Sequence, residues 1–156
     1  IKICRLMWTE EDPHFDGEFF HIEGADAPPL PDVAPPVCIG TSGEQIGIPL
    51  AARHADIWNT VWRGDQDSLT RKRDIMLREL ERSGRAREDI QFSLTIERAL
   101  PQTTGEIDDF GTMLTGLIEL GIEHFVLDFG NPETADEADH FISQVMCPLR
   151  NSATSL

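Results

Sequence analysis

PPVCIGTSGEQIGIPLAARHADIWN, residues Pro35 to Asn59, places an apolar strand, a Gly-containing loop, an Ala-rich helix and the start of a second strand in one unit. Val37, Cys38 and Ile39 form a short apolar run between a Pro pair and Gly40, the pattern of a strand buried on both faces in a parallel sheet. Gly40-Thr41-Ser42-Gly43 then supplies two residues free to take positive φ, two hydroxyls and backbone amides that no large side chain blocks. A helix beginning just after this loop brings unpaired amides and a positive dipole end to one spot, which suits a phosphate. An ordinary strand-to-helix turn would use the same residues. Gly47 and Pro49 fall inside the expected helix, and a helix-interior Pro costs about 3 kcal/mol, so the helix start is displaced toward Pro49.

Four strand-helix units follow one another along the chain. The first pairs Val37 to Ile39 with a helix near Gln45 to Ala55, and the second pairs Asp56 to Trp62 with Ser68 to Ser83. The third pairs Ile90 to Glu97 with Glu106 to Leu120, and the fourth Ile122 to Phe129 with Pro132 to Met146. Thr103 and Glu106 form a capping box, Ile107, Phe110, Leu114 and Leu117 recur at helical spacing, and Gly121 is the stop. Asn131 before Pro132 reads as an N-cap with Pro at the first helical position. Leu69, Met76 and Leu80 make the buried stripe of the second helix, closed by Gly84. Ile90, Phe92, Leu94 and Ile96 alternate with Gln91, Ser93, Thr95 and Glu97, so one side of that strand meets helices. Its other side faces either a barrel lumen or solvent.

The string PPVCIGTSGEQ followed by LAARHADIWN resembles the luciferase-like flavin and deazaflavin oxidoreductases, with Thr41 where their pattern has a second Gly. Upstream, Trp8, Phe15, Gly17, Phe19 and Phe20 match the same family, and downstream Ser83-Gly84-Arg85, Arg87 to Ile90 and GIEHFVLDF do so too. The resemblance implies an α/β fold, the C-terminal half of a (β/α)8 TIM-type barrel with four parallel strand-helix units and an N-terminal hairpin around Asp16-Gly17. A whole barrel takes about 250 residues and this chain has 156. Residues 1–36 are then a helix end, hairpin and Pro-rich connector, 37–147 the four units, and 148–156 a tail, in a single domain. Ile1 to Trp8 reads as the tail of a helix without an initiator Met, so a truncated chain is expected.

Composition bounds the partners. Thirteen basic against 28 acidic residues give a formal charge of −15, which repels nucleic acid and anionic membranes. Cys4, Cys38 and Cys147 are odd in number and have no metal or redox spacing, pointing to a reducing cytoplasm, with Cys38 an inert core thiol. His14, His21, His54, His124 and His140 show no metal-ligand spacing, so no metal is expected. His54 reads as a helix C-terminal residue on the surface.

By resemblance, FMN or a deazaflavin coenzyme is the expected cofactor and a small organic molecule the substrate. Gly40, Thr41, Ser42, Gly43 and Glu44 are then assigned to the cofactor phosphate, and Asp56, Trp58 and Asn59 to the cofactor or substrate rim. No general base is identifiable. The alternative is a non-catalytic half-barrel that dimerises or binds small molecules. In either case four strands leave two open edges, so a homo-oligomer, a dimer first, is expected.

Overall fold

Strand β4, Ile57–Val61, shows how this chain sorts its side chains: Trp58 and Thr60 are buried while Ile57, Asn59 and Val61 are half-buried. That alternation follows from the two-residue period of a strand covered on one face only. The computed structural model describes residues 1–25, 27–129 and 135–148. Helix α1 (Lys2–Thr9) is followed by the antiparallel hairpin β1 (His14–Asp16) and β2 (His21–Glu23), with Phe15 opposite Ile22. Then come β3 (Cys38–Gly40), α2 (Gly47–His54), β4, α3 (Gln66–Arg82), β5 (Gln91–Glu97), α4 (Thr104–Glu119), β6 (His124–Asp128) and α5 (Ala135–Phe141). A π-helical turn, Ile142–Met146, continues α5.

The four later strands form one parallel sheet in the order β3-β4-β5-β6. Each crossover carries a helix, as parallel neighbours require, and the strand order equals the sequence order, which is half the complement of a (β/α)8 barrel. Register aligns Ile39, Trp58 and Phe92 in one row and Thr60, Leu94 and Phe125 in another. This face packs on Ile48, Ala51 and Ala52 of α2, Leu69, Met76 and Leu80 of α3, and Ile107, Phe110, Leu114 and Leu117 of α4. Trp58 meets Phe92 edge to face at 5.2 Å, and Phe141 stands against Phe110 at 5.4 Å and Phe129 at 4.8 Å.

Helix boundaries follow local chemistry. Asp65 caps α3 by accepting the Ser68 amide at 3.0 Å. Thr103 and Glu106 form the expected capping box on α4. Gly84 and Gly121 take φ of +71° and +87° just past α3 and α4, where a left-handed residue ends a helix. Helix α2 begins at Gly47, two residues before Pro49, so its start lies later than Gln45 but is not set by the proline. An amide in the first helical turn has no intrahelical acceptor, and Pro49 loses nothing by lacking one. The expected Asn131 cap and Pro132 start lie outside the described residues, as do positions 149–156 of the tail.

Two strand expectations are corrected. Val37 to Ile39 is not buried on both faces, because helices cover one side only: Cys38 points to the other and is exposed, so it is no core thiol. The polar side of β5 is not simply solvated, since Ser93 is 1% exposed beneath its neighbours.

The base of the sheet is tied to α1. Arg5 donates Nη2 to the His54 carbonyl at 3.1 Å and to Asp56 Oδ2 at 2.7 Å. It thereby satisfies a carbonyl at the negative end of α2 and pairs with a carboxylate at once.

Candidate functional site

Parallel α/β sheets place their sites beyond the carboxyl ends of the strands, and the Gly40–Glu44 loop lies there, between β3 and α2. Gly40 is in register with Asn59, and the Thr41 amide extends the ladder by donating to the Asn59 carbonyl at 2.8 Å. Trp58 Nε1 donates to the Thr41 carbonyl at 3.0 Å. The Ser42 and Thr60 hydroxyls share a hydrogen bond of 2.9 Å, and Thr41 Oγ1 accepts the Gly43 amide at 3.1 Å. Ile48 donates its amide to the Gly43 carbonyl at 2.8 Å, closing the turn into α2.

These bonds fix the loop yet leave the amides of Ser42, Glu44 and Gln45 without an acceptor among the described residues. No side chain caps α2 either. Space is open above: a Cβ built on Gly40 meets nothing within 4 Å, and one on Gly43 makes only ordinary contacts of 3.6 Å and 3.7 Å. Neither glycine has positive φ, contrary to the expectation, so their role is access and not backbone handedness. The glycine that the loop cannot replace is Gly47, where a Cβ would lie 1.9 Å from Thr41 Oγ1. Glu44 turns its carboxylate away to Arg71, receiving Nε at 3.0 Å and Nη2 at 2.9 Å. That pair ties the loop to α3 and moves an acid off the amides.

The three expected rim residues, Asp56, Trp58 and Asn59, lie in three different surroundings. Asn59 lies on the helix-free face, where Nδ2 donates to Ser93 Oγ at 2.8 Å and Oδ1 accepts from Thr95 at 3.0 Å. Ser93 Oγ in turn meets His124 Nδ1 at 2.8 Å, completing a row across β4, β5 and β6. Trp58 is not on the rim: the pleat turns its ring into the helix layer, where it is 0% exposed. Asp56 precedes β4 and therefore lies at the opposite end of the strand from the loop. Its Oδ2 accepts the Val37 amide at 2.7 Å as well as Arg5. Burial opposes its ionisation, but the Val37 bond and then the Arg5 bond and charge outweigh that, so its pKa is below the ordinary value of 3.8. His54 is shifted down by burial, then by the charges of Arg53, Lys2, the N-terminus and Arg5, so it favours the neutral ring.

His124 and Thr95 were not singled out as site residues, and neither was the cleft at the carboxyl ends of β4 and β5. The only signal was parity, since alternation in Ile90 to Glu97 marks which side chains share a face. A cleft of about 520 Å³ opens at the same rim between β4 and β5, lined by Trp62, Arg63, Gly64, Ile96, Glu97, Arg98 and Met113. Among the described residues no group of three or more His, Cys, Asp or Glu side chains is arranged to hold a metal ion, and no helix is long and apolar enough to cross a membrane.

Rim loop, parallel sheet and strand order define a chain with half the complement of a (β/α)8 barrel, and family comparison agrees. Residues 1–107 match the model of the luciferase-like monooxygenases, and the chain belongs to that family. It is 27% identical over 153 residues to an uncharacterised protein of Mycobacterium tuberculosis, Rv0953c, covering 96% of this chain and 48% of that one. An F420-dependent glucose-6-phosphate dehydrogenase of Gordonia bronchialis is 34% identical over 55 residues, 35% of this chain and 15% of that one. The chain spans about half the length of the first of these relatives. Among solved structures, an F420-dependent secondary alcohol dehydrogenase in complex with an F420-acetone adduct superposes with a TM-score of 0.72 at 15% identity, covering 90% of this chain and 57% of that chain.

Proposed function

We propose that this chain forms the coenzyme-phosphate rim of a deazaflavin-dependent oxidoreductase acting on a small organic substrate. The observation that carries the reading is the Gly40–Glu44 loop, where the amides of Ser42, Glu44 and Gln45 have no acceptor among the described residues and the space at Gly40 is open. Amides of a strand-to-helix loop can hold a phosphate without cationic side chains, which matters in a chain of net charge −15. Gly40 and Gly43 leave the approach clear, Thr41 and Ser42 hold the loop to Asn59 and Thr60, and Glu44 is held aside by Arg71. Asn59 gives the adjacent floor a fixed polar surface. When bound, a flavin or deazaflavin supplies the electron transfer, and the protein's share is to position it and shape the rim. The F420-dependent relative favours a deazaflavin over FMN. Fluorescence titration with F420 and, in parallel, FMN tests this: saturable binding of F420 is expected, and its absence at millimolar coenzyme overturns the reading.

One observation favours the second reading, a half-barrel that associates with itself. Strands β3 and β6 are both edges of the sheet, and Cys38 and Val126 are exposed on the face without helices. Sedimentation velocity at micromolar chain distinguishes a dimer from a folded monomer.

A further inference from the structure

The cleft between β4 and β5 holds charges that the rest of the molecule does not use. Acidic residues outnumber basic ones 28 to 13, so a cation here has more than two carboxylates to choose from. Five arginines take one: Arg5 pairs with Asp56, Arg71 with Glu44, Arg73 with Asp74, Arg82 with Glu79 and Arg87 with Glu123. Among the described residues Arg53, Arg63, Arg78, Arg85 and Arg98 pair with no carboxylate, and Arg63 and Arg98 are the two of these that line the cleft. Arg63 makes no hydrogen bond or ion pair with any described residue. Arg98 lies over the Phe110 ring at 4.9 Å, a contact that orients a guanidinium without neutralising it, and Glu106 is its acidic neighbour on α4.

The Arg98 amide donates to the Asp128 carbonyl at 3.1 Å, and Arg63 follows Trp62, whose amide donates to the Thr95 carbonyl at 2.8 Å, carrying the ladder past the strand ends. Glu97 lines the same cleft and pairs with neither arginine, and Trp62, Ile96 and Met113 supply an apolar wall. The volume, about 520 Å³, suits a small molecule.

We infer that this cleft is an anion-binding site for a small organic acid or phosphate ester that also carries a hydroxyl group. Arg63 and Arg98 hold the carboxylate or phosphate through charge-assisted hydrogen bonds. Glu97 accepts the hydroxyl proton in a hydrogen bond, which explains why an acid is kept beside two cations without neutralising either. Trp62 and Met113 cover the carbon skeleton. The site is separate from the Gly40–Glu44 loop, which offers amides and no cation. Calling the bound acid a substrate rests on the coenzyme reading above; its binding to the cleft does not.

The test is NMR of the intact chain, following the Nε–H signals of Arg63 and Arg98 and the amides of Ser42 and Glu44. Titration with lactate and with glycerol 3-phosphate should move the arginine signals saturably, with glycerol as the neutral control moving neither. Lactate acting alone selects a carboxylate site, glycerol 3-phosphate alone a phosphate site. The R63Q/R98Q variant should bind the same probes roughly tenfold or more weakly, and R63Q alone, which removes no contact of the fold, serves if the double variant is unstable. Unmoved arginine signals at millimolar probe, or equal affinity in R63Q, overturns the site. F420 reports separately through Ser42 and Glu44: if those amides stay still while the arginines respond, the coenzyme reading fails and the acid site stands.

Discussion

Thr41 and Gly47 fit one another: the threonine hydroxyl occupies the position that a side chain on residue 47 would take, 1.9 Å from where its Cβ would be. A bulkier loop residue is thus compensated by a bare one at the first position of α2. Gly47→Ala should destabilise the fold by about 1–3 kcal/mol, the usual cost of overpacking. T41G/G47A should recover most of that loss, because the clash needs both side chains. Urea unfolding of the parent, G47A, T41G and T41G/G47A measures the coupling, and additive effects would refute it.

Gly43→Val separates binding from folding. Added atoms at residue 43 meet only ordinary contacts, so stability should change little, but a β-branched side chain fills the space above the loop amides. F420 affinity should fall roughly tenfold or more, while the thermal unfolding midpoint stays within a few degrees.

Asp56 gives the fold a pH dependence of known sign. Its carboxyl pKa is lowered in the folded chain, so the stability it contributes is present above its ordinary value of 3.8 and disappears as the pH falls through the lower folded value. Asp56→Asn should therefore be less stable than the parent at neutral pH, by under about 1 kcal/mol after solvent screening. The gap should close below pH 3.8, which chemical denaturation at several pH values would show.

Asn59 joins β4 to β5 through side chains, and Ser93 beneath it is buried. Asn59→Ala removes a donor and an acceptor, so a loss of about 1–3 kcal/mol is expected. A comparable change in Gln91, exposed on the neighbouring strand β5, should be near neutral. Thermal unfolding of both variants provides the comparison.

The alternation of strand and helix was legible because α3 and α4 announce their ends chemically: Thr103 with Glu106, then Gly84 and Gly121 at positive φ. The hairpin around Asp16-Gly17 was legible through the family resemblance. Three residues resisted. Cys38 lies in a three-residue apolar run, which contains too little alternation to tell a strand covered on one face from one covered on both. Trp58 and Asn59 are adjacent, and only register with Phe92 and Ser93 decides which of them enters the core. Asp56 looked like a rim residue because it abuts Trp58 in sequence, but strand polarity puts it at the far end, beside Arg5.

Arg5 reaches from the first helix to the carbonyl of His54 and the carboxylate of Asp56, at the end of the sheet away from the loop. The molecule is therefore anchored at its foot and left adjustable at its crown. Loops beyond the strand ends can change length or residue without unfastening the first helix, and a damaged anchor should loosen the whole body while sparing the grip on a ligand. Heritable change in what the protein recognises and heritable change in how firmly it stands are, by this arrangement, two nearly independent variables.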